Sequence, residues 1–205
     1  MKQTIIIDAD FLNVITSASD GEKFFEDIVR SLDFQPLIHQ YVADNELFNN
    51  NSAKRLIDDG IIQRVTYGEI FDDDFEVFYK QSFADYYYQM NNKEIPCSIS
   101  NIFKYREAGH NLGEIHSCIM ANFLNVSYLM SNDRGAKDLA NTRVPNLHVM
   151  SIDDFIVYAA EHSQKLSHET IEFIIDVLIS IKNSNNRYII EKHRAKELRR
   201  MFVDC

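Results

Sequence analysis

The sequence predicts an α/β fold: a domain spanning residues 1–160 around a central, mostly parallel sheet, with a helical extension from 161 to 205. Three observations lead there. Short apolar runs of strand length, β-branched in residues 4–7 and mixed in 126–130, alternate with stretches of helical periodicity. Carboxylates stand immediately after two of those runs, at Asp8 and Asp133. Charge is also divided unevenly along the chain. The net formal charge is −10, yet residues 182–200 carry seven Lys and Arg against Glu191 and Glu197, a local +5 that leaves −15 on the remainder.

Taken in order, the run Thr4-Ile5-Ile6-Ile7 ending at Asp8 reads as the first, central strand. Phe24, Phe25, Ile28, Val29 and Leu32 form the apolar face of a helix beginning near Gly21. Pro36 is placed at the first turn of a further helix, with Leu37, Ile38, Tyr41 and Val42 inward and Glu46 near its end. Ser52 and Gly60 bracket a short helix, and residues 61–67 form a strand. Asp72, Asp73 and Asp74 read as a solvated helix start. The aromatic-rich residues 75–90 form a helix whose rings pack in the core rather than stack on bases.

Residues 98–108 are predicted as another short helix. Next comes the stretch that anchors the functional argument. Gly113 and Glu114 open a helix carrying Ile115, Ile119 and Phe123 inward, residues 126–130 form a strand, and Ser131-Asn132-Asp133 follows it. Residues 147–150 read as a short strand, and Ser151 with Asp154 resembles a capping box. In the extension, Ser167 caps a helix bearing Ile171, Ile174, Ile175 and Leu178, and a basic helix over 187–202 closes the chain. That last helix serves as a solvated basic face, as a stripe for an RNA backbone, or as a segment that docks back onto the acidic body.

The composition narrows the functional classes. No stretch approaches the ~20 apolar residues of a membrane span, and Lys2 before a short apolar run does not read as a secretory signal. Cys97, Cys118 and Cys205 are scattered singly, as reduced thiols of a cytoplasmic protein would be, with no zinc spacing. The acidic body argues against broad nucleic-acid affinity.

Four carboxylates stand out by position: Asp8, Glu46, Glu114 and Asp133, with Asp10 and Asp138 in reserve. Brought together they repel one another unless some stay protonated or a cation neutralises them, and hard oxygen donors suit Mg²⁺ or Mn²⁺. The pattern resembles the PIN-domain nucleases. The likeness rests on Ile5-Ile6-Ile7-Asp8, on Glu46 within residues 38–47, on Gly113-Glu114 and on Leu129-Met130-Ser131-Asn132-Asp133, and it covers residues 4–155.

That resemblance implies a PIN-like three-layer sandwich and metal-dependent hydrolysis of RNA phosphodiesters by metal-activated water. Asp8, Glu114 and Asp133 would be metal ligands, and Glu46 a ligand or water-orienting base. Asp10, Asp138, Arg134 and His116 are the residues placed around them. RNA is the implied substrate, and an antitoxin-like protein and a second copy of the chain are the protein partners to test. Asp10 stands where the family often has a small polar residue, and the chain is longer than the compact toxin-type members.

Asp10 also opens a rival. Asp8-Ala9-Asp10 looks like the first motif of haloacid-dehalogenase-type phosphatases, with Asp8 as nucleophile, Asp10 as acid/base, and Asp133 and Asp138 as a late acidic motif. Phe11 and Leu12 follow where that family usually has small residues. A third reading is a catalytically inactive PIN-like binding module.

Overall fold

Ile5, Ile6 and Ile7 are fully buried, which places their strand at the middle of a sheet covered on both faces. The computed structural model describes residues 2–17, 20–67, 73–97, 99, 101–107, 110–162 and 200. In chain order the elements are β1 (Gln3–Ile7), α1 (Ala9–Ile15), α2 (Gly21–Ser31), β2 (Phe34–His39), a π-helical turn (Val42–Glu46), α3 (Asn51–Asp58) and β3 (Gln63–Val65). Then come α4 (Asp73–Asn91), α5 (Leu112–Phe123), β4 (Tyr128–Met130), α6 (Arg134–Arg143), β5 (His148–Met150) and α7 (Ile152–His162).

The five strands form one sheet in the order β3-β2-β1-β4-β5. Every pairing is parallel, with Ile5 opposite Pro36, Ile6 opposite Leu129, His39 opposite Val65, and Leu129 opposite Val149. The alternation of side chains along β1 sorts the core into two layers. Ile5 and Ile7 pack with Phe11, Phe25, Ile28 and Phe155 of α1, α2 and α7, whereas Ile6 packs with Tyr79, Phe83, Ile115 and Leu139 of α4, α5 and α6. Helices thus cover both faces, and the arrangement has three layers.

The main departure from expectation is β2. The sequence predicts a helix from Pro36, but Pro36 lies inside a strand, beside Ile5 of β1. Pairing with β3 begins only at Leu37, so on that side no ladder exists for the missing proline amide to interrupt. The residues that read as one helical face split instead: Leu37 and Ile38 are sheet residues on opposite faces, and Val42 belongs to the π-helical turn. The expected strand over 61–67 shrinks to β3, and the short helix before it is capped by Asn50 rather than Ser52. Gly60, at φ +72°, stops it as expected.

Residues 98–108 are not helical where described. Position 99 and positions 101–107 form a turn at 102–104 and otherwise irregular backbone. The capping box holds: Ser151 N–H donates to Asp154 and Asp154 N–H to Ser151 Oγ, each at 3.3 Å. The helices expected around Ser167 and over 187–202 lie outside the described residues, Arg200 excepted. No helix among the described residues is long and apolar enough to cross a membrane.

Candidate functional site

Between β1 and β4 the chain order of the sheet reverses, and it is outside the carboxyl ends of strands at such a point that α/β folds bind ligands. Asp8 ends β1 there and caps α1, accepting the Ala9 amide at 2.9 Å. Asp133 follows β4 and caps α6 through the Gly135 amide. Both therefore serve as helix caps and stand at the sheet edge at once.

The two turns are laced together. Ser131 Oγ lies 3.2 Å from Asp8 Oδ2 and 3.3 Å from Asp10 Oδ1, and it accepts the Asp133 amide at 3.1 Å. The Asn132 amide donates to Asp10 Oδ2 at 2.8 Å. Asp10 is thereby the residue that ties the β4–α6 turn to the β1–α1 turn. Asn132 Oδ1 continues the chain of bonds by accepting the Ile152 amide at 2.9 Å, fixing the start of α7.

Glu46 and Glu114 reach the same place from the π-helical turn after β2 and from α5. Asn111 caps α5 in the left-handed conformation, φ 50°, and offers no side-chain hydrogen bond. Its place is taken by Glu46, whose carboxylate accepts the Gly113 amide in the first turn of α5. A Cβ on Gly113 would overlap that carboxylate. The glycine in Gly113-Glu114 is therefore required by close approach rather than by φ.

Asp8, Asp10, Glu46 and Glu114 line one cleft of about 520 Å³, with Tyr41 and Asn111 also in its wall. A larger cavity of about 640 Å³ opens among the amino ends of the strands, near Lys2 and Phe34, but it gathers none of the expected site residues. No Lys or Arg among the described residues is ion-paired with Asp8, Asp10, Glu46, Glu114 or Asp133. The acids consequently hold one another's protons.

Burial, then the charges of Glu114, Asp10 and Glu46, raise Asp8 well above the usual carboxylate range. Burial lifts Asp10 to about 6, against the Asn132 and Phe11 amides that pull it down, and the Asp133 charge adds to the rise. Glu46 rises to about 7, through burial and the Asp10 charge. Glu114 rises to about 8, through burial and then Glu46, Asp133 and Asp10. Asp133 is thus part of the same electrostatic cluster.

The donor set suits a hard divalent cation: carboxylates from four chain segments, with no bound cationic side chain. Among the described residues, no three His, Cys, Asp or Glu side chains stand in the arrangement of a preformed metal site. Asp8, Asp10, Glu46 and Glu114 share the cleft without forming a closed cage, and Asp133 lies outside its lining.

Three of the residues placed around the core acids fall elsewhere. His116 is fully buried inside an aromatic cluster, its ring 4.6 Å from that of His39 and 4.9 Å from that of Phe83, so contact with a phosphate is excluded by position. Arg134 and Asp138 are exposed on α6, where they face each other at 3.7 Å.

Sequence reasoning missed the brace behind the cleft. The Tyr41 amide donates to His39 Nδ1 at 3.0 Å, so the ring proton sits on Nε2 and donates to Tyr79 Oη at 3.1 Å, and the Tyr79 hydroxyl donates to His116 Nδ1. Burial lowers His39 to about 3 and His116 well below the usual imidazole range, keeping both rings neutral. This brace joins the end of β2, ahead of Glu46, to α5 two residues after Glu114. His116 alone of its members was visible beside Glu114; His39 and Tyr79 carried no spacing signal. No family model matches this chain, and no curated protein matches it.

Proposed function

We propose that the chain is a Mg²⁺- or Mn²⁺-dependent ribonuclease of the PIN-like type, hydrolysing phosphodiester bonds of RNA. The observation that carries the proposal is the convergence of Asp8, Asp10, Glu46 and Glu114 on one cleft at the switch point of the sheet, with Asp133 coupled to them. A cation bound there would offset their mutual repulsion and supply activation of water and of the phosphodiester. Asp8, Glu114 and Asp133 would hold the ion. Glu46, fixed by the Gly113 amide, is positioned to orient a water and accept its proton. Asp10, committed to the Asn132 amide and Ser131 Oγ, keeps the two turns in register.

The phosphatase alternative gains little from the geometry. Asp138, its late acidic residue, is exposed beside Arg134.

The test is cleavage of a mixed single-stranded RNA pool in Mn²⁺, Mg²⁺ and EDTA, by wild type and Glu114→Gln, with phosphate release measured alongside. Cleavage that needs metal and vanishes in the variant is expected. Phosphate release that survives Glu114→Gln, or no RNA cleavage under any metal condition, would overturn the proposal.

A further inference from the structure

An acidic cleft repels the polyanion assigned to it, so something near its mouth must attract the RNA backbone once the carboxylates are neutralised. Arg106 is the one Lys or Arg among the described residues that line the cleft. Its side chain is exposed, and it makes no ion pair within 4 Å among the described residues. Its field reaches the Tyr41 hydroxyl on the cleft wall, drawing that group's proton affinity down against burial.

The backbone that presents it is held firmly. The neighbouring Glu107 accepts hydrogen bonds from the buried Tyr87 hydroxyl at 2.9 Å, from Lys93 Nζ at 2.9 Å and from Tyr105 Oη. The irregular segment 101–107 is thereby fastened to α4 and the turn after it, and Arg106 is offered from a fixed base with a free guanidinium. A guanidinium matches a phosphate with two parallel hydrogen bonds, which makes Arg better suited than Lys to this task.

We infer that Arg106 is a substrate-binding residue that grips a backbone phosphate of single-stranded RNA entering the cleft. This rests on the nuclease reading for the identity of the polyanion, but it is tested by binding as well as turnover. It places the guanidinium on the wall of a cleft that also carries Asp8, Asp10, Glu46 and Glu114, so RNA approaches past Arg106 on its way to the carboxylates.

The experiment is fluorescence anisotropy with a labelled 12-nucleotide RNA in Ca²⁺, which occupies oxygen sites in looser geometry than Mg²⁺. Salt is varied, and the RNA is confirmed intact afterwards. Wild type, Arg106→Ala, Arg106→Lys and, as a control for net charge, Lys23→Ala on α2 are compared. Calorimetric Ca²⁺ binding is measured for each protein, and KM and kcat in Mn²⁺ for those that cleave.

Arg106→Ala is expected to weaken RNA binding at least fivefold and to flatten the salt dependence by about 0.7 in log–log slope, the share of one phosphate contact. Arg106→Lys should recover part of the affinity, Lys23→Ala should match wild type, and the loss in turnover should appear in KM. An Arg106→Ala protein that binds RNA like Lys23→Ala, that loses Ca²⁺ affinity in step with RNA affinity, or a wild type that binds no RNA, would overturn the inference. RNA binding that depends on Arg106 without any metal-dependent cleavage would sustain it while removing the nuclease reading.

Discussion

The Glu46 carboxylate occupies the space in which a side chain at residue 113 would begin. Gly113 therefore does two things for one acid: it leaves room for the carboxylate and donates its amide to it. The expected outcome of Gly113→Ala follows from where the overlap can be relieved. The obstacle is the end of a flexible side chain, so Glu46 swings away and the fold survives, while alanine favours the helix by up to about 1 kcal/mol. Thermal unfolding should show stability within about 1 kcal/mol of wild type, while calorimetry should show Mn²⁺ affinity falling about tenfold or more.

Asp10 separates a structural from an electrostatic role. Asp10→Asn retains an oxygen for the Asn132 amide and removes one charge from a crowded set, so at pH 8 without metal it should be at least as stable as wild type. Asp10→Ala leaves the Asn132 amide without its acceptor and should be less stable than Asp10→Asn by about 1–3 kcal/mol in denaturant unfolding. Equal stabilities for the two variants would remove Asp10 from its assigned place as the tie between the turns.

The acid cluster sets the sign of the pH dependence. Asp10, Glu46 and Glu114 bind protons more tightly folded, at about 6, 7 and 8, than as unfolded carboxylates near 4. Between those values the folded state holds more protons, so stability is fullest below about pH 4 for this contribution and is lost as pH rises toward 8. Metal-free protein should have a higher midpoint of thermal unfolding at pH 6 than at pH 8. Saturating Mn²⁺ should raise that midpoint at both, and by more per added ion at pH 8, where fewer protons compete. A metal-free protein more stable at pH 8 than at pH 6 would contradict the cluster.

Tyr79 is the centre of the buried brace, hydrogen-bonded to two neutral histidines. Tyr79→Phe keeps the ring among Phe75, Phe103 and His116 but leaves His39 Nε2 and His116 Nδ1 without partners. A loss of about 2–4 kcal/mol in chemical unfolding is expected from two unmet buried polar atoms. Mn²⁺ affinity should fall as well, because the brace holds the approaches to both Glu46 and Glu114.

Much of this arrangement was legible because local chemistry and global position agree. Asp8 and Asp133 each follow an apolar run and each precede a helix, so their places at the sheet edge could be read from neighbours alone. Glu114 could be placed at a helix start, but its convergence with Asp133 depends on how α5 lies against the sheet. Glu46 was expected late in a helix and lies instead at the end of the π-helical turn, on the cleft wall. The apolar residues after Pro36 satisfy a helical period, and the buried parallel strand that they form has no alternation to betray it. Arg106 and Glu107 sat in a segment expected to be helical, where their roles follow only from partners on α4. His116 carried a plausible functional position beside Glu114, but a residue two places further along a helix points to a different face.

The order of the strands also has a consequence in time. β1 and its acid precede the other strands, yet its second neighbour in the sheet is β4, and the bond from Asn132 to Asp10 spans 122 residues. During synthesis, β1, β2 and β3 can meet early, but the cleft gains its last wall only when β4 slots in beside β1. A growing chain therefore displays Asp8, Asp10 and Glu46 long before it has Glu114 and Asp133. Whatever chemistry the cluster performs begins only after β4 has been made and has docked beside β1.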